Sequence, residues 1–188
     1  FDHPTAQVAF LKAVRLDPNF AIAHLQLGRA LLRDGNTKQV TASFQRAKDL
    51  ASHATEKERF LIEEYYAKII ERDRAKAETI SREMVRAYPR EKEFRLELGG
   101  LLLGRDPDAA IAEFKAALDL DPSYGVAINQ LAYGYSAKGD FQAAKAEFER
   151  YAALFPNDFN PRDSLGQLLL EQGLLAEAEK NYEIANAL

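Results

Sequence analysis

One position of the sequence carries an aromatic residue about every 34 residues along the 188-residue chain. Four residues before it lies Ala or Val, and eight residues after it lies Pro or Ser wherever the chain extends that far. The recurring residues are Phe10, Phe44, Phe114, Phe148 and Tyr182, with Ser81 at the corresponding place in the middle of the chain. Successive spacings are 34, 37, 33, 34 and 34 residues. Such a period predicts stacked copies of one small unit rather than a single globular core.

Each unit has the pattern of two helices. In the second helix, Ala144, Phe148 and Tyr151 fall on one stripe because their spacing matches the helical period. In the first helix a Leu precedes Gly or Ala, as in Leu165-Gly166, and a small residue in mid-helix indicates that another helix approaches closely. The turns within units use Gly as a left-handed helix end or Asp-Pro as a helix start. They are Gly35-Asn36, Asp106-Pro107, Gly139-Asp140 and Gly173.

The composition excludes several kinds of protein. The chain has no Cys, so disulfide frameworks, thiolate metal sites and cysteine nucleophiles are all ruled out. Three His residues far apart in sequence disfavour a histidine metal site. The apolar runs are far shorter than the roughly 18 residues that suggest a membrane span. A net charge of −4 disfavours a general nucleic-acid binder, while a Cys-free chain suits cytoplasm and periplasm alike.

No pattern in the sequence indicates catalysis. The acidic residues fall at helix ends and on helix faces spaced for solvent, which favours a hydrated surface over paired catalytic carboxylates. Leu98-Gly99-Gly100 lies within a helical pattern and not after a strand, so it is not a phosphate-binding loop. His24 is expected to pack and His53 to be exposed. The sequence therefore predicts a protein that is not an enzyme and that needs no cofactor and no metal.

The order Leu-Gly, then Ala, an aromatic residue, Ala and Pro resembles the tetratricopeptide repeat. The resemblance divides the whole chain into a half repeat at 1–19 and repeats at 20–54, 55–90, 91–123, 124–157 and 158–188. Repeat 55–90 is degenerate, since it lacks both the aromatic residue and the turn glycine. The resemblance implies an all-α fold, a right-handed α-solenoid of antiparallel helix pairs. Because the chain starts inside a repeat, we expect a piece of a longer protein, with apolar stacking surface at both ends.

The same resemblance implies that a second face of each first helix lines a concave groove, which receives a peptide or a neighbouring domain. The residues carried over to that face are Leu25, Arg29, Leu32, Ile62, Tyr66, Ile69, Leu96, Gly100, Leu103, Asn129, Tyr133, Ser136, Asp163, Gln167 and Leu170. Tyr66 and Tyr133 would supply aromatic surface with a polar tip, the kind that forms binding hot spots. The alternative is that these residues fill the inner core of a tightly wound superhelix.

A chaperone-adaptor role is disfavoured, because some tetratricopeptide domains grip a peptide carboxylate with a Lys/Asn/Arg clamp that this chain lacks. The matching positions hold Leu25, Arg29, Glu63, Glu93 and Glu97. The segment from Thr55 to Tyr66 also resembles tetratricopeptide extensions of bacterial multidomain regulators.

Charge is spread unevenly along the chain. From Asp140 onward there are 9 acidic and 4 basic residues. The basic residues between Arg72 and Arg95 alternate with acids, which favours a solvated surface over a nucleic-acid site. We therefore expect a protein or peptide partner, no nucleic acid and no membrane insertion. The main alternative function is structural: self-assembly, with weak homo-oligomers stacking through the array ends.

Overall fold

A computed structural model of the chain describes residues 3–32 and 37–188, and the regular secondary structure in those ranges is entirely helical. The α-helices are α1 (His3–Leu16), α2 (Ala21–Leu31), α3 (Thr37–Asp49), α4 (Glu56–Tyr66), α5 (Arg74–Ala87), α6 (Lys92–Leu102), α7 (Pro107–Leu120), α8 (Gly125–Ala137), α9 (Phe141–Leu154), α10 (Asn160–Glu171) and α11 (Leu175–Ala187). A 3₁₀ turn (Ala51–His53) precedes α4, and a π-helical turn (Ala67–Glu71) follows it. The predicted all-α fold of helix pairs is confirmed.

The chain forms two compact units, Phe1–Met84 and Val85–Leu188, which we call unit 1 and unit 2. The boundary falls within α5, whose buried side chains are Ala77, Ser81 and Met84. None of the described helices has the length and apolar character needed to cross a membrane.

The core of unit 1 lies among α2, α3 and α4. Phe44 of α3 stacks on Tyr65 of α4, with ring centroids 6.2 Å apart and planes 8° from parallel. Leu25 and Ile62 belong to the same cluster and are 0% and 1% exposed. Both side chains are thus buried, as the alternative interpretation that these residues fill an inner core expects. Because α4 packs against both α2 and α3, Leu25 of α2 and Ile62 of α4 lie in the core between these helices.

A carboxylate is enclosed in α4. Glu64 is 0% exposed, and Lys68, one turn later, places its Nζ 2.9 Å from Oε1 of Glu64. The same ammonium lies 3.9 Å from the centroid of the Tyr65 ring. A buried charge is tolerated only when it is paired, and Lys68 supplies the opposite charge.

The turn after α4 takes a left-handed conformation without a glycine. Arg72 has φ 56° and ends the π-helical turn, so that the N–H of Asp73 donates to the Ala67 carbonyl at 2.9 Å. Asp73 then accepts a hydrogen bond from the Lys76 N–H at 2.9 Å and starts α5. Arg72 thus takes the left-handed conformation that Gly139 and Gly173 adopt in the α8–α9 and α10–α11 turns.

We expect Arg72→Gly to stabilise unit 1 by about 0.5–1 kcal/mol, because a side chain costs energy in the left-handed region and glycine does not. Arg72→Ala is the matched control, since it removes the same side chain but keeps the β-carbon. Thermal denaturation followed by circular dichroism should show a higher Tm for Arg72→Gly than for Arg72→Ala. Equal Tm values for the two variants would contradict the assigned backbone strain.

Glycines of first helices face aromatic rings of second helices. A β-carbon added at Gly28 would lie 3.1 Å from the Phe44 ring, and one at Gly166 would lie 2.9 Å from the Tyr182 ring. These distances are shorter than ordinary van der Waals contact. The prediction that Leu-Gly marks a close approach between helices is confirmed at these positions.

The turns of unit 2 also follow the prediction. Gly139 (φ 76°) ends α8 and Gly173 (φ 73°) ends α10, both in the left-handed conformation. Asp140 begins α9 by accepting a hydrogen bond from the Ala143 N–H at 3.1 Å. The predicted turn at Gly35-Asn36 lies outside the described residues. In unit 2 the tight turns place α8, α9 and α10 side by side, and the candidate site lies between them.

Candidate functional site

A cavity of about 130 Å³ opens among three helices of unit 2. Helix α8 contributes Tyr133 and Ser136, α9 contributes Phe148, and α10 contributes the remaining side chains. The lining residues are Tyr133, Ser136, Phe148, Ser164, Gln167, Leu168 and Glu171. Three of them, Tyr133, Ser136 and Gln167, are residues that the sequence assigns to the groove face. We call this cavity the α8–α10 groove.

The α8–α10 groove is backed by a buried aromatic ring. Phe148 is 0% exposed, and Tyr133 packs edge-to-face on it with centroids 5.2 Å apart at 81°. The Tyr133 hydroxyl donates a hydrogen bond to Oγ of Ser164 at 3.0 Å. Because both its ring and its hydroxyl are held, Tyr133 presents a preorganised aromatic wall.

One edge of the α8–α10 groove is acidic. Glu171 is exposed and accepts a hydrogen bond from Nε2 of Gln167 at 3.2 Å, while Asp163 lies one turn before Gln167 on the same helix. Burial, and after it the negative charges of Asp163 and Glu171, raise the pKa of Tyr182 above its usual value. The two carboxylates therefore place negative charge in the first turn and at the last residue of α10.

The connection between α9 and α10 is fixed by a buried phenol. The Tyr151 hydroxyl donates to Oδ2 of Asp158 at 2.9 Å, and the Tyr151 ring packs edge-to-face on Phe155 at 5.3 Å. Burial, together with the hydrogen bond to Asp158, raises the pKa of Tyr151 to about 12. The other oxygen of Asp158 accepts from the Asn160 N–H at 3.0 Å and so sets where α10 begins.

The other residues assigned to the groove face lie apart from this cavity. In unit 2, Leu96 and Leu103 are half-buried and pack against the core. Asn129, one helical turn before Tyr133, is half-buried, and its Oδ1 is fully enclosed without a hydrogen-bond partner among the described residues. In unit 1, the Arg29 guanidinium lies 4.5 Å from the Tyr65 ring centroid. The Tyr66 hydroxyl donates to Oε1 of Gln45 at 2.8 Å.

Unit 1 has a larger hollow of about 300 Å³ near the turn at Arg72. Its lining residues are Leu32, Thr37, Val40, Thr41, Ile69, Ile70 and Arg72. Leu32 and Thr37 lie next to residues 33–36, which are outside the described part of the chain. The α8–α10 groove brings together three residues of the predicted groove face, and it is the candidate site for that reason.

The two histidines that the structure describes in full have the surroundings predicted for them. His24 is half-buried with its Nε2 3.0 Å from the Pro18 carbonyl oxygen, and His53 is exposed. Within residues 3–32 and 37–188, no group of three or more His, Asp or Glu side chains is arranged to hold a metal ion.

Family models described as tetratricopeptide repeat match the chain at residues 9–40, 71–125 and 101–163. Together these matches cover more than half of the sequence. The chain belongs to the tetratricopeptide repeat family. The α8–α10 groove thus lies between the first helices of two successive tetratricopeptide repeats.

Two curated relatives match part of this tetratricopeptide repeat chain. DnaJ homolog subfamily C member 3 of Rattus norvegicus is 38% identical over 92 residues, and its Mus musculus counterpart is 37% identical over 92 residues. Each match covers 48% of this chain and 18% of the relative. The chain therefore spans less than a fifth of the length of these relatives.

Solved structures share the fold at low identity. The APC/C hetero-tetramer Cut9–Hcn1 matches with a TM-score of 0.67 and 17% identity, over 99% of this chain and 36% of that chain. PilW, a type IV pilus biogenesis factor, matches with a TM-score of 0.67 and 16% identity, over 99% and 86%. Yeast Tom70 matches with a TM-score of 0.66 and 22% identity, over 97% and 39%. At these identities the likeness concerns the fold alone.

Proposed function

We propose that this tetratricopeptide repeat region is a non-enzymatic protein-binding module that takes up a peptide segment, from a partner or a neighbouring domain, in the α8–α10 groove. The cavity itself is the observation that carries the proposal. Its aromatic wall, Tyr133, is backed by the buried Phe148 and Leu168 and suits an apolar side chain. Its rim of Ser136 and Gln167 offers hydroxyl and amide groups that can hydrogen-bond a peptide backbone.

The chemistry of the lining favours binding over catalysis. The one carboxylate among the lining residues, Glu171, is exposed and accepts from Gln167 rather than from a nucleophile. The hydroxyls of Tyr133 and Ser164 bond each other, so neither has a general base beside it. The hetero-tetrameric Cut9–Hcn1 assembly and the pilus biogenesis factor PilW share this fold, which supports a role in protein association.

Selection from a random peptide library displayed on phage tests the proposal. We expect peptides that bind the wild-type chain, and we expect Tyr133→Ala to weaken their binding about tenfold, because it removes the aromatic wall of the groove. Gln167→Ala changes only an exposed rim side chain and should weaken binding less. Leu175→Ala, at a position of α11 that is 65% exposed, is the control and should leave affinity unchanged.

Two results would contradict the proposal. If Tyr133→Ala and Gln167→Ala both bound the selected peptides like wild type in fluorescence anisotropy, the α8–α10 groove would not be the binding site. If no peptide were selected, the proposal of peptide binding would be contradicted altogether.

Self-association is the other candidate function, since α11 exposes Leu175, Ile184 and other apolar side chains. A constant monomer mass in light scattering over a wide concentration range would exclude it.

A further inference from the structure

We infer that the α8–α10 groove selects basic peptides: segments in which one Leu, Ile or Val side chain is flanked by Lys or Arg. This inference names the ligand class of the proposed function and rests on it. Two features of the groove carry it, the size of the cavity and the charge of its α10 edge.

The size of the cavity fits one aliphatic side chain. A dry apolar cavity of about 150 Å³ is known to hold a benzene molecule. The α8–α10 groove, at about 130 Å³, therefore accommodates the four carbons of a Leu or Ile side chain but not an indole ring. Phe148 and Leu168 are 0% and 4% exposed, and such well-packed side chains do not move aside to admit a larger group.

Helix α10 carries two carboxylates, Asp163 and Glu171, and one guanidinium, Arg162, and the one charged residue of the groove lining is Glu171. Asp163 and Glu171 are both exposed, and the lining residues include no Lys and no Arg. Three bases around these helices contact other side chains: Lys138 pairs with Asp108, Lys145 lies 3.3 Å from Glu177, and Arg162 donates to Asn181 at 3.3 Å. A cationic flank of a bound peptide would therefore meet two carboxylates with no competing cation in the lining.

An acidic peptide is expected to bind weakly in the α8–α10 groove. A carboxylate placed beside Glu171 would be repelled, and the described lining offers no cation to hold it. The groove thus discriminates by charge against acidic segments and by volume against large aromatic ones.

Four fluorescein-labelled synthetic octapeptides test the inference by fluorescence anisotropy. Three share a central Leu and carry flanks of Lys, Ser or Glu, and the fourth has Lys flanks with Trp in place of Leu. We expect the Lys-flanked Leu peptide to bind roughly threefold to tenfold more tightly than the Ser-flanked one, as for a partly exposed ion pair. The Glu-flanked peptide should bind most weakly of the Leu peptides, and the preference should shrink at 0.5 M salt. The Trp peptide should bind more weakly than its Leu counterpart.

Two charge-reversal variants distinguish an effect of the charge in the groove from an effect of the net charge of the chain. Glu171→Lys should remove or invert the preference for Lys flanks, whereas Glu179→Lys makes the same change in net charge at an exposed position of α11 and should preserve it. Equal effects of the two variants would overturn the inference. Equal affinity for the Lys-flanked and Glu-flanked peptides would also overturn the inference of charge selection. If library-selected peptides still required Tyr133 in that case, the proposed peptide binding in the groove would be retained. If neither the synthetic nor the library-selected peptides bound, both the inference and the proposed function would be contradicted.

Discussion

Phe148→Ala is expected to destabilise unit 2 by about 3–5 kcal/mol, the usual cost of truncating a fully buried phenylalanine. Phe148 is 0% exposed and belongs to the cluster formed by α8, α9, α10 and α11. Its ring supports Tyr133 edge-to-face at 5.2 Å, so the variant loses its own burial and also the support for the groove wall. Urea denaturation followed by circular dichroism measures the loss.

Phe159→Ala is the matched control for Phe148→Ala. Phe159 is 58% exposed at the start of α10, and its truncation should change the free energy of unfolding by no more than about 0.5 kcal/mol. Similar losses for both variants would show that Phe148 does not occupy the core assigned to it.

The fold was predictable because the sequence repeats its packing contacts as well as its helices. The period places Phe44, Phe114 and Phe148 at one structural position, and all three rings are at most 1% exposed. The Leu-Gly pairs likewise predicted where backbones come close. Contacts of this kind can be predicted wherever the sequence itself shows the small or aromatic residue that the contact requires.

The candidate groove was only partly predictable, because a helix face does not reveal how much of it a neighbour covers. Leu25 and Ile62 share the predicted face with Tyr133 and Gln167, yet both are buried between α2, α3 and α4 in unit 1. The enclosed Glu64 was missed for a related reason, since its partner Lys68 and the packing of α4 become visible only in three dimensions.

The sequence carried a signal for one missed groove residue and not for another. Glu171 lies four residues after Gln167, so extending the Asp163–Gln167 stripe by one turn of α10 would have found it. Ser164 lies beside that stripe rather than on it, and it joins the site only because the Tyr133 hydroxyl reaches across from α8. Its role depends on the distance between two helices, which no spacing within one helix records.

Replacing each of two adjacent glycines of α6 by alanine, one at a time, is expected to change the free energy of unfolding in opposite directions. A β-carbon at Gly99 would lie 2.7 Å from Cδ1 of Phe114 and closer still to Cε1. Phe114 is 0% exposed, so its ring has no space into which it can move. Gly99→Ala should therefore destabilise unit 2 by about 1–3 kcal/mol, the range found for overpacked cores.

Gly100 is the built-in control, because a β-carbon there meets nothing within 4 Å. Gly100→Ala should stabilise α6 by about 0.5–1 kcal/mol, since alanine restricts the unfolded chain more than glycine and favours the helix. The free energies of unfolding from urea titration should thus fall for Gly99→Ala and rise for Gly100→Ala. If both rose, the Phe114 ring would be free to move, and glycine at position 99 would not be needed for the approach of α6 to α7. If both fell, the helix at Gly100 would be constrained by something other than its β-carbon.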